Sequence, residues 1–132
     1  MYLIDTNIIS EALKRAPNLG VLRWLETAQR SAISVITLDE IIYGLTLHAK
    51  PTFSERFESF LETVEVIDLN ATIARRAAQL RGALAATGKA RTQADMLIAA
   101  TAQVRGLTLV TRKIRDFEGC SIAIINPFSA EI

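Results

Sequence analysis

Residues 93–111 read QADMLIAATAQVRGLTLVT, a helical pattern that runs directly into a short strand pattern. The residues from Met96 to Ala102 are apolar nearly all round, which predicts a buried helix over Gln93–Val104. Gly106 follows where a glycine often ends a helix, and the apolar run Leu107–Val110 predicts a strand. A helix followed at once by a buried strand is typical of a parallel α/β sheet.

The rest of the chain repeats this alternation. Further strands are predicted over Tyr2–Ile4, Ala32–Val35, Val64–Ile67 and Ile122–Ile125, and further helices over Ile8–Lys14, Gly20–Ala28, Leu38–Ala49, Ser54–Thr63 and Ala71–Ala86. Gly88 is predicted to end the helix before it as Gly106 does. With no repeat or linker, the chain is predicted to be a single α/β domain over residues 1–132. Its central five-stranded, mainly parallel sheet would carry helices on both faces.

The composition excludes several classes of protein. Half of the 132 residues are hydrophobic, which argues against disorder. Cys120 is the only cysteine, so the chain has no internal disulfide and no cysteine-based zinc site, as expected in a reducing compartment. The longest apolar runs are too short to span a membrane. We therefore expect a cytoplasmic protein with no membrane partner.

The charge is distributed unevenly along the chain. The net charge is only +1, yet between residues 71 and 115 Asp95 is the sole acidic residue among nine lysines and arginines. Such a basic segment is typical of a surface that binds a polyanion, although long arginines also solvate ordinary helix faces. We favour a nucleic-acid contact.

Four carboxylates lie where predicted strands and helices meet: Asp5, Glu40, Asp95 and Asp116. In an open α/β sheet, ligands collect at the carboxyl ends of the strands, and one edge of this sheet can collect all four side chains. Carboxylates gathered in one cleft repel each other unless some are protonated or a cation is bound. Oxygen ligands of this kind suit Mg²⁺ or Mn²⁺.

Each carboxylate also has a purely structural interpretation. Asp5 and Asp95 stand where a residue can cap a helix, and Asp116 can pair with Arg112 one turn earlier. Glu40 can close a capping box with Thr37, and its neighbour Asp39 is chemically as good a ligand. The residues alone leave the choice between Glu40 and Asp39 open.

With these positions identified, the chain closely resembles the PIN-domain family, and in particular its VapC-type toxins of bacterial toxin–antitoxin pairs. The resemblance rests on four segments that span the chain: residues 2–7, residues 34–40 with Gly44, residues 95–102, and residues 106–112 with Asp116-Phe117 and residues 125–128. It implies a PIN-like three-layer α/β/α domain. It also implies a metal-dependent endoribonuclease that leaves 5′-phosphate and 3′-hydroxyl ends.

The resemblance assigns roles to particular residues. It implies that Asp5, Glu40, Asp95 and Asp116 hold one or two Mg²⁺ or Mn²⁺ ions and that Glu40 is chosen over Asp39. Thr6, Asn7 and Thr111 would hold these carboxylates or a phosphate by hydrogen bonds. The charge distribution, and not the resemblance, adds the residues that would bind the backbone of a structured RNA, such as a tRNA or rRNA: Arg112, Lys113, Arg75, Arg76, Lys89 and Arg91. The implied partners are a cognate antitoxin and a second copy of the chain.

The chain departs from the family at Lys113, where Asn or Asp is common after the Thr-Arg pair. An ammonium there either neutralises a carboxylate and weakens a second metal, or binds a phosphate. Two other functions stay open: a PIN nuclease for RNA or DNA processing, and a cleavage-impaired toxin that represses its own promoter together with an antitoxin. The apolar stripe Val21, Leu22, Trp24 and Leu25 is either a contact for the antitoxin or part of the core.

Overall fold

The computed structural model describes residues 1–28 and 30–128. Its strands are β1 Tyr2–Ile4, β2 Ser31–Ser34, β3 Glu65–Ile67, β4 Thr108–Val110 and β5 Ile124–Ile125; its helices are α1 Thr6–Ala12, α2 Leu19–Thr27, α3 Val35–Leu47, α4 Pro51–Leu61, α5 Ala71–Ala86 and α6 Gln93–Arg105, with a short 3₁₀ helix at Ile114–Phe117. The α/β alternation predicted from the sequence is confirmed.

The strands form one five-stranded sheet in the order β3-β2-β1-β4-β5. Every pairing between them is parallel. Strand β1 is central, and its neighbours β2 and β4 come from distant parts of the chain. The first strand therefore ends in the middle of the carboxyl edge of the sheet, the edge where parallel sheets usually bind their ligands.

Two apolar cores cover the two faces of the sheet. Leu3 belongs to the core built with α5 and α6, whereas its neighbour Ile4 belongs to the core built with α1 to α4. Successive residues of a strand point to opposite faces, so this division makes a three-layer α/β/α domain. Phe57 of α4 and Met96 of α6 are fully buried, one in each core.

A glycine in the left-handed conformation follows each of the helices α5 and α6, as predicted. Gly106 has φ 65° and ends α6, and the N–H of Leu107 reaches back to the carbonyl of Ala102 at 2.8 Å. Gly88 has φ 82° after α5, and the N–H of Lys89 bonds to the carbonyl of Leu84 at 2.9 Å. Only glycine adopts this left-handed conformation without steric cost.

The predicted start of helix α3 needs correction. Helix α3 begins at Val35, not at Leu38, because the Ser34 side chain accepts the N–H of Ile36 and caps the helix there. Thr37 therefore lies inside the helix, and the predicted capping box with Glu40 is wrong. Of the two interpretations of the stripe on α2, the structure supports core packing for three of its residues: Val21 is fully buried, Trp24 and Leu25 pack against the same core, and Trp24 meets Tyr2 edge-on with 5.1 Å between ring centroids. Within the described ranges, no helix has the length and apolar character needed to cross a membrane.

Candidate active site

The carboxyl edge of the sheet brings chain segments together from both ends of the sequence. Asp5 directly follows β1, and Thr111 directly follows the neighbouring β4. The N–H of Asp5 donates to the carbonyl of Val110 at 2.9 Å, which extends the pairing of the two strands up to the site. Helix α6 precedes β4 and runs the opposite way, so its first turn, with Asp95, starts at this same edge.

Asp5 is the buried centre of the site. It is 1 % exposed and caps α1, since its Oδ1 accepts the N–H of Thr6 at 2.8 Å. Its Oδ2 accepts the hydroxyl of Thr111 at 2.8 Å and the side-chain amide of Asn7 at 3.0 Å. Burial raises the pKa of Asp5 despite these hydrogen bonds and the nearby charge of Lys113. A carboxylate held in this way gains from an added cation.

The Thr111 hydroxyl links the two sides of the site. It donates to Asp5 and accepts the N–H of Lys113 at 3.0 Å, and the amide of Asn7 lies 3.3 Å from it. The Oδ1 of Asn7 in turn accepts the N–H of Arg112 at 3.0 Å. The polar residues after β1 and after β4 thus form one hydrogen-bonded network that fixes the orientation of Asp5.

Asp95 faces Asp5 across the site and is bound to Lys113. It is 8 % exposed, and its N–H is capped by the Thr92 hydroxyl at 3.1 Å. The Nζ of Lys113 lies 2.9 Å from Asp95 Oδ1. Desolvation opposes the charge of Lys113, but the hydrogen bond to Asp95 and the charges of Asp5, Asp95 and Asp116 raise its pKa. The residue that departs from the family pattern is therefore part of the carboxylate cluster.

Glu40 reaches the site from α3 and Asp39 does not. The Oε1 of Glu40 accepts the Thr6 hydroxyl at 2.8 Å, and that hydroxyl also lies 3.3 Å from the hydroxyl of buried Thr37. Asp39 instead lines a separate depression with Tyr43. The structure thus places Glu40, the residue favoured by the resemblance, beside the residues around Asp5.

Asp116 lies in the 3₁₀ helix that follows Lys113 and acts on it by its charge. The suggested partner of Asp116, Arg112, has its guanidinium over the ring of Phe128 at 4.4 Å. Asp116 is thus at the margin of the cluster, while Asp5, Asp95 and Lys113 form its centre.

The donors suit a hard divalent cation, because the cluster offers carboxylate and hydroxyl oxygens and no sulfur. In residues 1–28 and 30–128, no three His, Cys, Asp or Glu side chains already stand where they would jointly hold a metal ion. Their oxygens are turned towards Thr6, Thr111 and Lys113 instead. A metal ion would use the carboxylate lone pairs that these contacts leave free.

An open groove of about 500 Å³ leads from solvent to these residues, lined by Thr6, Asn7, Ser10, Glu11, Lys14, Glu40, Arg112, Lys113 and Phe128. Sequence reasoning missed Glu11 and Lys14, which form an ion pair of 2.8 Å at its rim. Burial acts to raise the pKa of Glu11, yet hydrogen bonds from Lys14 and from the N–H of Asn18 lower it. Their three-residue spacing, which spans the end of α1, was the signal that could have identified the pair.

The basic residues predicted to bind RNA differ in their surroundings. Arg75 and Lys89 are exposed. Arg76 is partly buried and hydrogen-bonds to the side chain of Gln103. Arg91 donates to the carbonyl of Arg115 at 3.1 Å and so anchors the 3₁₀ helix that carries Asp116. Arg75 and Lys89 are the better candidates for an RNA contact from this segment.

Thr111→Val is expected to change the pKa of Asp5 while every charged residue of the site is kept. The change removes the hydroxyl that lowers the pKa of Asp5, so that pKa should rise further. Leaving buried partners of Thr111 unsatisfied should cost about 1–3 kcal/mol of unfolding free energy. Carboxyl NMR titration and urea unfolding measure the two effects. Thr111→Ser, which keeps the hydroxyl, is the control, and equal behaviour of the two variants would contradict the role of the hydrogen bond.

Comparison with known proteins agrees with this geometry. Residues 2–118 match the family model of the PIN domain. The chain is 33 % identical over 137 residues to toxin FitB of Neisseria gonorrhoeae, with 97 % of this chain and 99 % of FitB covered. It is 33 % identical over 118 residues to the tRNA(fMet)-specific endonuclease VapC of Shigella flexneri, with 89 % of each chain covered.

The fold also matches solved structures of related complexes. One is VapBC2 from Rickettsia felis bound to a DNA fragment from its promoter. The match has a TM-score of 0.84 and 30 % identity, and it covers 95 % of this chain and 97 % of the other.

Proposed function

This chain belongs to the PIN-domain family, and from that premise we propose that it is a Mg²⁺- or Mn²⁺-dependent endoribonuclease that serves as the toxin of a toxin–antitoxin pair. The observation that supports this most directly is the pair of buried carboxylates Asp5 and Asp95 at the carboxyl edge of the sheet, whose hydrogen-bond partners Thr6 and Lys113 line an open groove. A structural role alone does not require two carboxylates and an ammonium at this edge.

Asp5, Asp95 and Glu40 would hold the metal ion, with Asp116 at the margin. When bound, the ion supplies activation of a water molecule and neutralisation of charge on the scissile phosphate. Thr111, Asn7 and Thr6 donate hydrogen bonds that fix the orientation of Asp5, and those from Thr111 and Thr6 oppose the rise in its pKa that burial causes. Arg112 and Lys113, which line the groove, are placed to contact phosphates of the RNA backbone.

The substrate we propose is a single-stranded or looped region of a structured RNA, a tRNA or an rRNA. The groove is wide and open, so an unpaired strand can enter it. The relative from Shigella flexneri is named as specific for tRNA(fMet), which supports a structured RNA target. The cut should leave 5′-phosphate and 3′-hydroxyl ends.

We also propose a protein partner, a cognate antitoxin, because similar structures are toxin–antitoxin complexes. A second groove, of about 900 Å³, lies between α1, α3 and α4. It combines apolar residues such as Ile41 and Phe53 with basic residues such as Lys50 and Arg56, a surface that suits a helix with one apolar and one acidic face. Tyr43 and Leu47 of α3 are exposed by 67 % and 60 % and are candidates for contact with a second copy of the chain.

Purified protein incubated with total RNA tests the enzymatic part of the proposal. We expect cleavage with Mg²⁺ or Mn²⁺, no cleavage with EDTA, and ends that can be ligated as 5′-phosphates. Cleavage that persists in EDTA would contradict the metal dependence. Cleavage of DNA flaps in preference to RNA would favour a processing nuclease.

Expression in a bacterial host tests the toxin role. We expect growth arrest when the chain is expressed alone and recovery when a cognate antitoxin is co-expressed. The antitoxin would block RNA from the groove lined by Glu40, Arg112 and Lys113. Harmless accumulation of folded, metal-binding protein would contradict the toxin role. The DNA-bound complexes among the similar structures support a further role in promoter binding with the antitoxin. Promoter binding without growth arrest would favour that role alone.

A further inference from the structure

The hydrogen bonds on Asp5 limit how many metal ions it can bind. A carboxylate has about four lone-pair positions, two on each oxygen. Oδ2 already accepts Thr111 at 2.8 Å and Asn7 at 3.0 Å, and Oδ1 accepts the N–H of Thr6 at 2.8 Å. One position is left, on Oδ1. Asp5 can therefore be a ligand to one ion but cannot bridge two.

Bridging matters because the ions of a two-metal site lie only about 3.5–4 Å apart. At that separation a buried central carboxylate normally contacts both ions, which reduces their repulsion. Asp5 is the deepest carboxylate of this cluster, at 1 % exposure against 8 % for Asp95. The residue best placed to bridge two ions is thus the one that has a single lone-pair position left for a metal.

Lys113 already supplies a second positive charge at this place. Its ammonium lies 2.9 Å from Asp95 and experiences the charges of Asp5, Asp95 and Asp116. Its backbone is also fixed, because its N–H donates to the Thr111 hydroxyl that holds Asp5. A side chain anchored at both its backbone and its ammonium is part of the site and not a free surface lysine.

We propose that this site binds one divalent cation and that the Lys113 ammonium takes the place of a second one, contributing its charge to the scissile phosphate. The inference rests on the proposed function, since it concerns the same metal centre. The proposal explains why Lys113 departs from the family pattern: its ammonium supplies the positive charge that a second metal ion would otherwise supply. The enzyme should then need less divalent metal than one that must fill two sites.

Counting bound Mn²⁺ tests this directly, by electron paramagnetic resonance and isothermal titration of the purified protein without RNA. We expect one ion for the wild type and one for Lys113→Arg, which keeps the charge. Lys113→Asn frees Asp95, removes the positive charge that acts on Asp116, and should bind a second, weaker ion. Lys14→Asn is the matched control, because Lys14 lines the same groove in an ion pair of 2.8 Å with Glu11, and it should still bind one ion.

Cleavage rates provide the second measurement. The wild-type rate should rise hyperbolically with Mn²⁺. Lys113→Asn should lose about a hundredfold in rate at low Mn²⁺, as when one charge-stabilising group is removed. It should recover with a sigmoidal dependence as the second ion binds, and Lys113→Met is expected to behave likewise.

The outcomes separate the two proposals. Two ions in the wild type, or a single ion and an unchanged rate in Lys113→Asn, would overturn the role of Lys113 and leave the nuclease proposal standing. No Mn²⁺ binding by the wild type, or binding that survives both Asp5→Asn and Asp95→Asn, would overturn the metal centre itself. One ion in the wild type with a second in Lys113→Asn supports both.

Discussion

Asp5→Asn and Asp95→Asn are each expected to lower the rate of RNA cleavage by about a thousandfold or more, because each removes a ligand charge from the proposed metal site. Glu40→Gln, an exposed residue held by Thr6, should have a smaller effect. Asp39→Asn is the matched control, since Asp39 is an exposed carboxylate in a separate depression, and its rate should stay within about twofold of wild type. Equal rates for Asp5→Asn and wild type would refute the assignment.

Thermal unfolding separates loss of metal from loss of fold. Burial raises the pKa of Asp5, so its ionised form costs stability at neutral pH, a cost that is absent below the ordinary carboxyl pKa. Asp5→Asn removes that cost. It also replaces one of the two carboxylate oxygens, which together accept hydrogen bonds from Thr6, Asn7 and Thr111, by an NH₂ group that cannot accept. The two effects on the free energy of unfolding should offset to within about 2 kcal/mol in EDTA. Saturating Mn²⁺ should raise the Tm of the wild type by about 10 °C and that of the variant hardly at all.

RNA affinity is expected to fall steeply with salt. Each phosphate contact to a single strand contributes about 0.7 log units per tenfold change in salt, so four contacts would lower affinity several hundredfold per tenfold increase. Changing Arg75 and Lys89 together to Gln should reduce this slope by about 1.4 and weaken binding to all sequences alike. Both residues are exposed, so the substitutions should leave the fold intact.

Arg23 and Arg30 provide the control for this experiment, because both are exposed and lie outside the basic segment of residues 71–115. The double change to Gln should leave the slope unaltered. If the two double variants lose the same slope, RNA binding follows total charge and not a particular surface. Filter binding between 50 mM and 500 mM salt, roughly one decade, covers the required range.

The fold was predictable because its signals are local. The buried helix α6, its terminal Gly106 and the following strand lie within one stretch of sequence. Both ends of helix α5, Ala71–Ala86, were predicted correctly. The start of α3 was not, because both Ser34 and Thr37 are residue types that cap helices, and Thr37 has Glu40 three residues later. Only the burial of Thr37 beside Thr6, a contact across 31 residues, decides between them.

The site was predictable in its positions but not in its contacts. Strand ends place Asp5 and Thr111 at one edge, and the direction of α6 adds Asp95. The hydrogen bond from Thr111 to Asp5 and the ion pair of Lys113 with Asp95 depend on side-chain conformations that no local pattern specifies. Residue type left Glu40 and Asp39 equal, and the rotation of α3 separates them.

The position of β1 has a consequence for synthesis of the chain. Asp5 is synthesised well before Thr111, whose hydroxyl holds it from 106 positions later, and strand β1 needs β4 beside it. Parallel pairing over such a distance forms late, because loop closure must precede it. A nascent chain therefore has no assembled site until Thr111 has been translated. If the chain is the ribonuclease proposed above, it would be inactive while the segment up to Thr111 is being made.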